Sequence, residues 1–96
     1  MLEKDVEALL TRRVHQIGGL CLKWVSPGNS GVPDRILILP GGHVIFAELK
    51  TDTGRLSQLQ RYQIKTMRDR GADVRVLYGA KDVLALIREV CERHGA

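Results

Sequence analysis

The sequence predicts an α/β fold in which a mixed four-stranded sheet is flanked by helices, in the order α-β-β-β-α-β-α. Three segments repeat apolar residues at the spacing of an amphipathic helix, and four short runs are rich in the apolar residues that favour strands. Two of these runs form a hairpin and therefore pair antiparallel. The last run follows a helix, and a strand reached through a helical crossover usually runs parallel to a neighbour.

The composition is that of one domain, 1–96, with a single modest core. The net charge of +4 and the isoelectric point of about 9.4 suit a polyanionic partner such as nucleic acid, although a charge that serves only solubility explains them as well. Two cysteines in no CxxC pair and three scattered histidines argue against a zinc site or a disulfide framework and favour a reducing compartment. No apolar run reaches ~18 residues, so neither a signal peptide nor a membrane span is expected.

The N-terminal segment, residues 2–17, is expected to form a helix that ends at a pair of glycines. Its apolar stripe consists of Val6, Leu9, Leu10, Val14 and Ile17. A first strand then covers residues 20–25, and Trp24 within it is expected to lie in the core. Residues 26–31 form a loop that either contacts phosphates through its backbone amides or only connects two strands.

Two apolar strands, Asp34–Leu39 and His43–Leu49, are joined by Pro40-Gly41-Gly42. We expect a three-residue hairpin loop, built as a type I turn followed by a glycine in the left-handed region. Both faces of the hairpin are apolar, as in strands that helices cover on both sides. The hairpin is therefore expected at the centre of the sheet.

The length of this loop decides which side chains share a face. With three residues in the loop, Asp34 lies directly opposite Glu48, and Lys50 lies on the same face. A two-residue turn at Gly41-Gly42 would shift the register by one residue and put the two carboxylates on opposite faces.

The second half of the chain completes the fold. Its expected elements are a turn over 51–56, a helix over 57–70, a strand over 73–78, and a helix over 80–94 that is closed by Gly95. Ser57 and Gln60 match a capping box at the start of the second helix.

The charged residues at the ends of the hairpin strands suggest a metal site. Asp34 and Glu48 would repel each other side by side, and a divalent cation with a preference for hard oxygen ligands, Mg²⁺ or Mn²⁺, would remove that conflict. Lys50 beside it could stabilise a developing oxyanion or position a water. Each residue alone has a structural explanation, such as a salt bridge from Asp34 to Arg35, but the three together favour a site.

The first helix carries two acids that could reach the same place. Glu7 lies at the margin of the apolar stripe, and Glu3 falls inside it within the first turn. Both are equally explained as acids that stabilise a helix N-terminus.

Basic residues recur on one face of the second helix, where they either follow a phosphate backbone or form a solvated surface. The candidate DNA-binding residues are Ser30, Arg35, Arg61, Lys65 and Arg68.

These features resemble the PD-(D/E)xK nuclease superfamily and, within it, the stand-alone type of the VRR-NUC family of virus-type replication–repair nucleases. The resemblance covers nearly the whole chain and is carried by the helix around Glu7, Gly18-Gly19, the run from Ser26 to Arg35, the tripeptide Glu48-Leu49-Lys50, and Gln60. It implies a restriction-endonuclease-like core.

The resemblance also implies roles for individual residues. Asp34 and Glu48 would be metal ligands together with the backbone carbonyl of Leu49, and Lys50 would orient the attacking water or help to deprotonate it.

Two residues outside the hairpin would complete this site. Gln60 would act beside the lysine, and its place in a capping box is compatible with that role. Glu7 would complete the acidic pocket, directly or through water, and is preferred to Glu3 because its distance from the glycine pair fits the family pattern better.

The implied activity is that of a Mg²⁺- or Mn²⁺-dependent DNA endonuclease acting on branched DNA, with a role in DNA repair. Its partners would be four-way junction DNA and a second copy of the chain, since a junction needs two strands cut and one domain has one active site. The expected location is the cytoplasm of a phage or bacterial host, with no membrane partner. The sequence does not identify the dimer surface, for which the first and the last helix are the candidates. The alternatives are a monomeric flap or repair nuclease, a non-catalytic DNA-binding module, and a restriction-type nuclease, against which the lack of a visible target-recognition insertion counts.

Overall fold

The structure, a computed structural model, describes residues 1–94 and confirms the expected order of elements. The helices are α1 (Glu3–Gln16), α2 (Gln58–Arg68) and α3 (Gly79–His94), and the strands are β1 (Leu20–Lys23), β2 (Arg35–Ile38), β3 (Val44–Lys50) and β4 (Val74–Tyr78). The expected close of the last helix at Gly95 lies outside the described residues. Within the described part of the chain, no helix is long and apolar enough to cross a membrane.

The strands form one mixed sheet in the order β1-β2-β3-β4. β1 pairs antiparallel with β2, β2 pairs antiparallel with β3, and β3 pairs parallel with β4. The β2–β3 hairpin is therefore central, and the strand after the helical crossover is parallel to its neighbour, as the sequence predicted.

The hairpin loop has the expected length but a different turn type. The Leu39 N–H donates to the His43 carbonyl at 2.8 Å across the three loop residues. Gly41 has a φ of 88° and a ψ of −1°, which makes the turn type II and not type I. Proline favours the second position of a type II turn, and glycine tolerates the positive φ of its third position. The predicted register is unaffected, because it depends on the loop length alone.

α1 and α3 pack on one face of the sheet and on each other. Successive strand residues point to opposite faces, so the odd-numbered residues of β2 and β3 lie beneath these two helices. The buried apolar core consists of Val6, Leu10, Val14, Leu37, Leu39, Ile45, Ala47, Leu49, Leu77, Val83, Leu86 and Val90. Most of the apolar burial that stabilises the fold is on this face.

The opposite face of the sheet is covered only in part, by α2. Four apolar side chains on it stay 36–52% exposed: Leu20, Leu22, Ile38 and Val44. The expectation that helices cover both faces of the hairpin is therefore wrong for β2 and the start of β3, because α2 lies over β4 and the end of β3. Trp24 packs against Phe46 with ring centroids 5.3 Å apart, but it is only half-buried at this open face and does not join the core.

The outer edge of β4 is occupied at both ends by side chains. The Arg68 guanidinium donates to the Val74 carbonyl at 2.6 and 3.0 Å, and Asp82 Oδ2 accepts the Tyr78 N–H at 2.8 Å. Charged side chains that occupy an edge in this way hinder the addition of a foreign strand.

A polar cluster fastens the end of α3 to β4 and to the hairpin. The Arg75 guanidinium donates to both oxygens of Glu89, at 2.7 and 2.8 Å, and also to Asp73. His43 lies between Asp73 Oδ2, at 2.8 Å, and His94 Nε2, at 3.0 Å. Burial raises the pKa of Asp73, but hydrogen bonds from Arg75 and His43 outweigh it and hold that pKa below its usual value.

Candidate active site

The register of the hairpin brings the two carboxylates of the predicted site together. Arg35 pairs with Ala47, so Asp34 and Glu48 are the next residues opposite each other. The Asp34 carbonyl accepts the Trp24 N–H of the β1 side, and the pair is therefore of the non-hydrogen-bonded kind, with Cα atoms about 4.5 Å apart. The expectation that they share a face is met.

Asp34 is held by the backbone of the opposite strand. The Leu49 N–H donates to Asp34 Oδ2 at 3.0 Å. Because the N–H and the carbonyl of a strand residue point to the same side, the Leu49 carbonyl also lies toward Asp34. Three oxygens, two from this aspartate and one from the main chain, are thus gathered at the end of β2.

Glu48 is a buried carboxylate, with only 1% of its surface exposed. Its Oε2 accepts the Gln60 amide at 3.1 Å and lies 3.8 Å from Lys50 Nζ. Among residues 1–94 its Oε1 is buried without any partner. Burial and the neighbouring charge of Asp34 raise the pKa of Glu48 to about 8, against the opposing effect of Lys50.

These features fit a hard divalent cation. A buried oxygen without a partner and two adjacent carboxylates both call for positive charge, and oxygen donors are the ligands that Mg²⁺ and Mn²⁺ prefer. In the described part of the chain, no group of three or more His, Cys, Asp or Glu side chains forms a complete ligand set. A site here would therefore use Asp34, Glu48 and the Leu49 carbonyl, with the rest of the coordination left to solvent or substrate, as is usual for Mg²⁺.

Lys50 ends β3 on the face that carries both carboxylates. Its side chain is 15% exposed, and its ammonium lies close to Glu48. The alternation of side chains along β3 predicted that Lys50 lies on the same face as Glu48, and the two side chains are indeed neighbours.

Gln60 connects the start of α2 to the buried carboxylate. Its Oε1 accepts the Ser57 N–H at 2.9 Å, and its own N–H donates to Ser57 Oγ at 3.1 Å. The capping box is confirmed, and the Gln60 side chain still has its amide free to donate to Glu48. One side chain thus fixes the helix start and orients an oxygen of the site.

The two acids of α1 lie in different environments. Glu7 forms an ion pair with Arg35, whereas the charge of Glu3 is the smallest of the contributions that raise the pKa of Glu48. The preference for Glu7 over Glu3 stays a prediction, and a role for Glu7 in the site requires that its carboxylate leave Arg35 or act while paired with it.

Arg35 lies on the face of the sheet opposite the candidate site, where it is not placed to contact DNA bound at that site. It follows Asp34 in the strand, so it points to the opposite face of the sheet. Its side chain is 17% exposed and is paired with Glu7. We correct its expected role from DNA contact to a tie between β2 and α1.

The predicted basic stripe on α2 divides into three different environments. Arg68 donates to the Val74 carbonyl, and Lys65 Nζ pairs with Asp69 at 2.8 Å on the surface. Arg61 is exposed and has no ion-pair partner among residues 1–94. Of the three, Arg61 is the most available to a phosphate.

The loop before β2 rests against the first turns of α2. The Ser30 carbonyl accepts the Gln63 amide at 3.2 Å, and a Cβ on Gly31 would lie 2.8 Å from the Leu59 carbonyl. Ser30 is exposed, and its role in DNA binding stays a prediction.

Sequence reasoning missed one exposed aromatic residue. Tyr62 is 63% exposed on the outside of α2, beside Leu59, which is 48% exposed. The exposure of both residues could have been predicted, because they fall outside the face of the helix that Gln60 and Ile64 turn toward the sheet.

The sequence matches the VRR-NUC domain over residues 2–81. The chain belongs to the VRR-NUC family. A solved structure described as a VRR_NUC domain has a TM-score of 0.85 and 34% sequence identity, with 90% of this chain and 94% of that chain covered. These matches confirm the family and the α/β fold that the sequence predicted, and the chain accordingly carries a nuclease domain.

A phage relative supports the same membership. The protein named "Putative nuclease p44", from Acyrthosiphon pisum secondary endosymbiont phage 1, is 50% identical over 48 residues, which are 50% of this chain and 52% of that protein. The match thus spans about half the length of this curated relative.

Proposed function

We propose that this VRR-NUC chain is a metal-dependent endonuclease that hydrolyses phosphodiester bonds in branched DNA. The observation that carries the proposal is the pair of the half-buried Asp34 and the buried Glu48, in which Glu48 Oε1 has no partner among residues 1–94. Removing one partner from a buried polar group is costly, so an oxygen left free in this position favours a bound cation. The name of the phage relative, a nuclease, supports the hydrolytic activity.

Asp34, Glu48 and the Leu49 carbonyl would hold Mg²⁺ or Mn²⁺. A bound ion of this kind supplies Lewis-acid stabilisation of the charge that develops on a phosphate during hydrolysis. An acid of α1, Glu7 or Glu3, would complete the pocket, directly or through water; Glu7 is paired with Arg35, and the charge of Glu3 adds slightly to the raised pKa of Glu48.

The chain's own residues would prepare the reaction. Lys50, whose ammonium lies 3.8 Å from Glu48 Oε2, would orient the attacking water and stabilise the hydroxide that forms when this water gives its proton to the solvent. Gln60 keeps the same carboxylate oxygen in place through its amide. The water oxygen forms a bond to phosphorus, the bond from phosphorus to the leaving sugar oxygen breaks, and that oxygen takes up a proton.

A homodimer would supply two such sites for a four-way junction. Closed two-fold dimers are the commonest soluble assemblies, and they place two identical sites in a fixed relation. The exposed apolar residues of the open sheet face, defined by Leu20, Leu22, Ile38 and Val44, support this assembly better than the first or last helix, because α1 and α3 are already packed on each other and on the sheet.

The test is cleavage of matched substrates in the presence of Mg²⁺, Mn²⁺ or a chelator. Linear duplex, flap, splayed-arm and four-way junction DNA of the same sequence would be compared. We expect metal-dependent paired nicks placed symmetrically about the junction centre. Cutting of flaps alone would replace the junction assignment with a monomeric repair activity, and binding without any product would reduce the chain to a DNA-binding module.

A further inference from the structure

We propose that Tyr62 and Leu59, on the outer face of α2, form a stacking site for an unpaired nucleobase of the DNA strand that enters the candidate active site. The inference rests on the proposed function and deepens it, since it names the part of a branched substrate that this surface recognises.

The two side chains form an apolar surface in an otherwise polar environment. Tyr62 is 63% exposed and Leu59 is 48% exposed, and residues three apart on a helix are neighbours. They line an open depression of about 610 Å³ together with Gln58, Arg61 and Lys65. A single exposed apolar residue is ordinary, but an aromatic ring and a leucine that share one depression are a feature to be explained.

The charges around the depression favour nucleic acid as its occupant. Both ionisable groups that line it besides the phenol, Arg61 and Lys65, are basic. Lys65 forms an ion pair with Asp69, whereas Arg61 has no ion-pair partner in residues 1–94. An aromatic platform beside cations is the arrangement that binds single-stranded nucleic acid, because the base stacks on the ring while the cation attracts the phosphate.

The position of the depression links it to the proposed chemistry. Gln60, two residues before Tyr62, donates to the buried carboxylate of Glu48 at 3.1 Å. Two residues advance a helix by about 3 Å, and a helix with its side chains is about 10 Å wide. A strand that crosses α2 as it leaves the site would therefore reach Tyr62, on the side of the helix opposite Gln60.

The platform is also rigid. The backbone and side chain of Leu59 lie against Gly31, where an added Cβ would approach within 2.9 Å of Leu59 Cγ, and Gln63 ties the same loop to α2. A stacking surface that is fixed before binding loses little entropy when a base docks.

The consequence is a preference for DNA with unpaired bases. In a continuous duplex and in the arms of a fully paired junction the bases stack on each other, whereas a single strand or the splayed arm of a branched DNA presents unpaired bases that can stack on an aromatic ring. Tyr62 would therefore affect which substrate is bound, while the carboxylates carry out the cleavage.

The experiment measures binding in a chelator, so that no cleavage occurs. A labelled single strand of about 12 nucleotides, within the usual site size, a splayed-arm DNA with unpaired ends and a perfect duplex are titrated with the wild-type chain and with Tyr62→Ala and Tyr62→Phe. We expect Tyr62→Ala to weaken binding of the single strand and the splayed-arm DNA about 5- to 100-fold, with Tyr62→Phe within about twofold of wild type. Duplex binding should be equal for all three proteins.

Three results would overturn the inference. Equal binding of the single strand by wild type and Tyr62→Ala would exclude stacking, and so would an equal loss on duplex and single strand. A change from dimer to monomer in Tyr62→Ala would make the surface a protein interface instead. If the wild-type chain binds none of these DNAs, the proposed function fails as well, whereas an unaffected Tyr62→Ala variant in a chain that binds and cleaves DNA removes only this inference.

Discussion

At the scale of single residues, the burial of Glu48 lowers the stability of the folded chain, while the same carboxyl group is the proposed ligand of a cation. Its carboxyl group is buried with one oxygen free of partners among residues 1–94. Burial and the charge of Asp34 keep it protonated in the folded chain at pH values where an exposed glutamate is ionised. Glu48 is ionised, and able to bind a cation, only at the higher pH values. At those pH values its burial lowers the stability of the folded chain when no cation is bound.

This protonation makes stability depend on pH in a predictable direction. The pKa of Glu48 is 4.5 when unfolded and about 8 when folded, so its contribution is fully present below 4.5 and is lost as the pH rises through 8. Urea unfolding in a chelator should show the difference in unfolding free energy between wild type and Glu48→Gln falling over this window. Asp73 does not interfere, since its lowered pKa changes stability only in more acidic solution. Parallel pH profiles for the two proteins would contradict the buried protonated state.

Lys50 is the residue whose loss should separate cleavage from binding. Lys50→Ala removes the ammonium that would orient the water, and we expect the initial cleavage rate to fall by at least about 100-fold, while the dissociation constant for DNA changes little. Lys81→Ala, which removes an exposed lysine of α3, is the matched control. A variant at Lys50 that cleaves at the wild-type rate would rule out the proposed mechanism.

At the scale of elements, the start of α2 is coupled to the site through one side chain. Ser57→Ala removes only the cap and should lower the free energy of unfolding by about 1 kcal/mol with little change in cleavage. Gln60→Ala also releases the oxygen of Glu48, and loss of such a supporting contact typically costs about 10- to 100-fold in activity or metal affinity. Urea unfolding and initial rates measured on both variants test the distinction, and equal effects on rate would contradict it.

The basic face of α2 allows a second prediction at this scale. Arg61 is exposed, whereas Arg68 is occupied by the Val74 carbonyl. We expect Arg61→Ala to reduce the slope of log affinity against log salt by about 1. Arg68→Ala should leave that slope unchanged and instead lower stability by about 1 kcal/mol. If Arg68→Ala reduced the salt slope and Arg61→Ala did not, Arg68 would contact DNA instead of the Val74 carbonyl, and the edge of β4 would be uncovered when DNA is bound.

The sequence predicted the register of the hairpin better than it predicted which charged side chains contact each other. The register of the hairpin followed from the three-residue loop and from strand alternation, and it brought Asp34, Glu48 and Lys50 to one face as expected. The pairing of Glu7 with Arg35 could not be deduced, because it depends on how α1 is rotated over the sheet. The use of Arg68 on the β4 edge is likewise a tertiary contact that no spacing in α2 reveals.

At the scale of the whole molecule, the two faces of the sheet have different roles. One face is buried beneath α1 and α3, while the other carries the site at one end and exposed apolar side chains at the other. Because the hydrophobic effect favours covering such side chains, a second copy of the chain is the partner that our proposal requires there.

The dimer proposal predicts a change in mass for one substitution on the open face. Leu22 is 46% exposed on β1, and Leu22→Lys would place a charge within the buried area of a dimer. Analytical ultracentrifugation should then show a dimer for wild type and a monomer for the variant, with circular dichroism unchanged. A wild-type chain that is monomeric at all concentrations would contradict the proposal.

The occupied edge of β4 has a further consequence for crowded solutions. A parallel edge strand is a template onto which partly unfolded copies can add, and repeated addition leads to fibres. Here the guanidinium of Arg68 and the carboxylate of Asp82 hold the groups that an incoming strand would need first. Addition of a strand from another copy of this chain is therefore hindered at β4, the edge of the sheet next to the proposed DNA-binding helix.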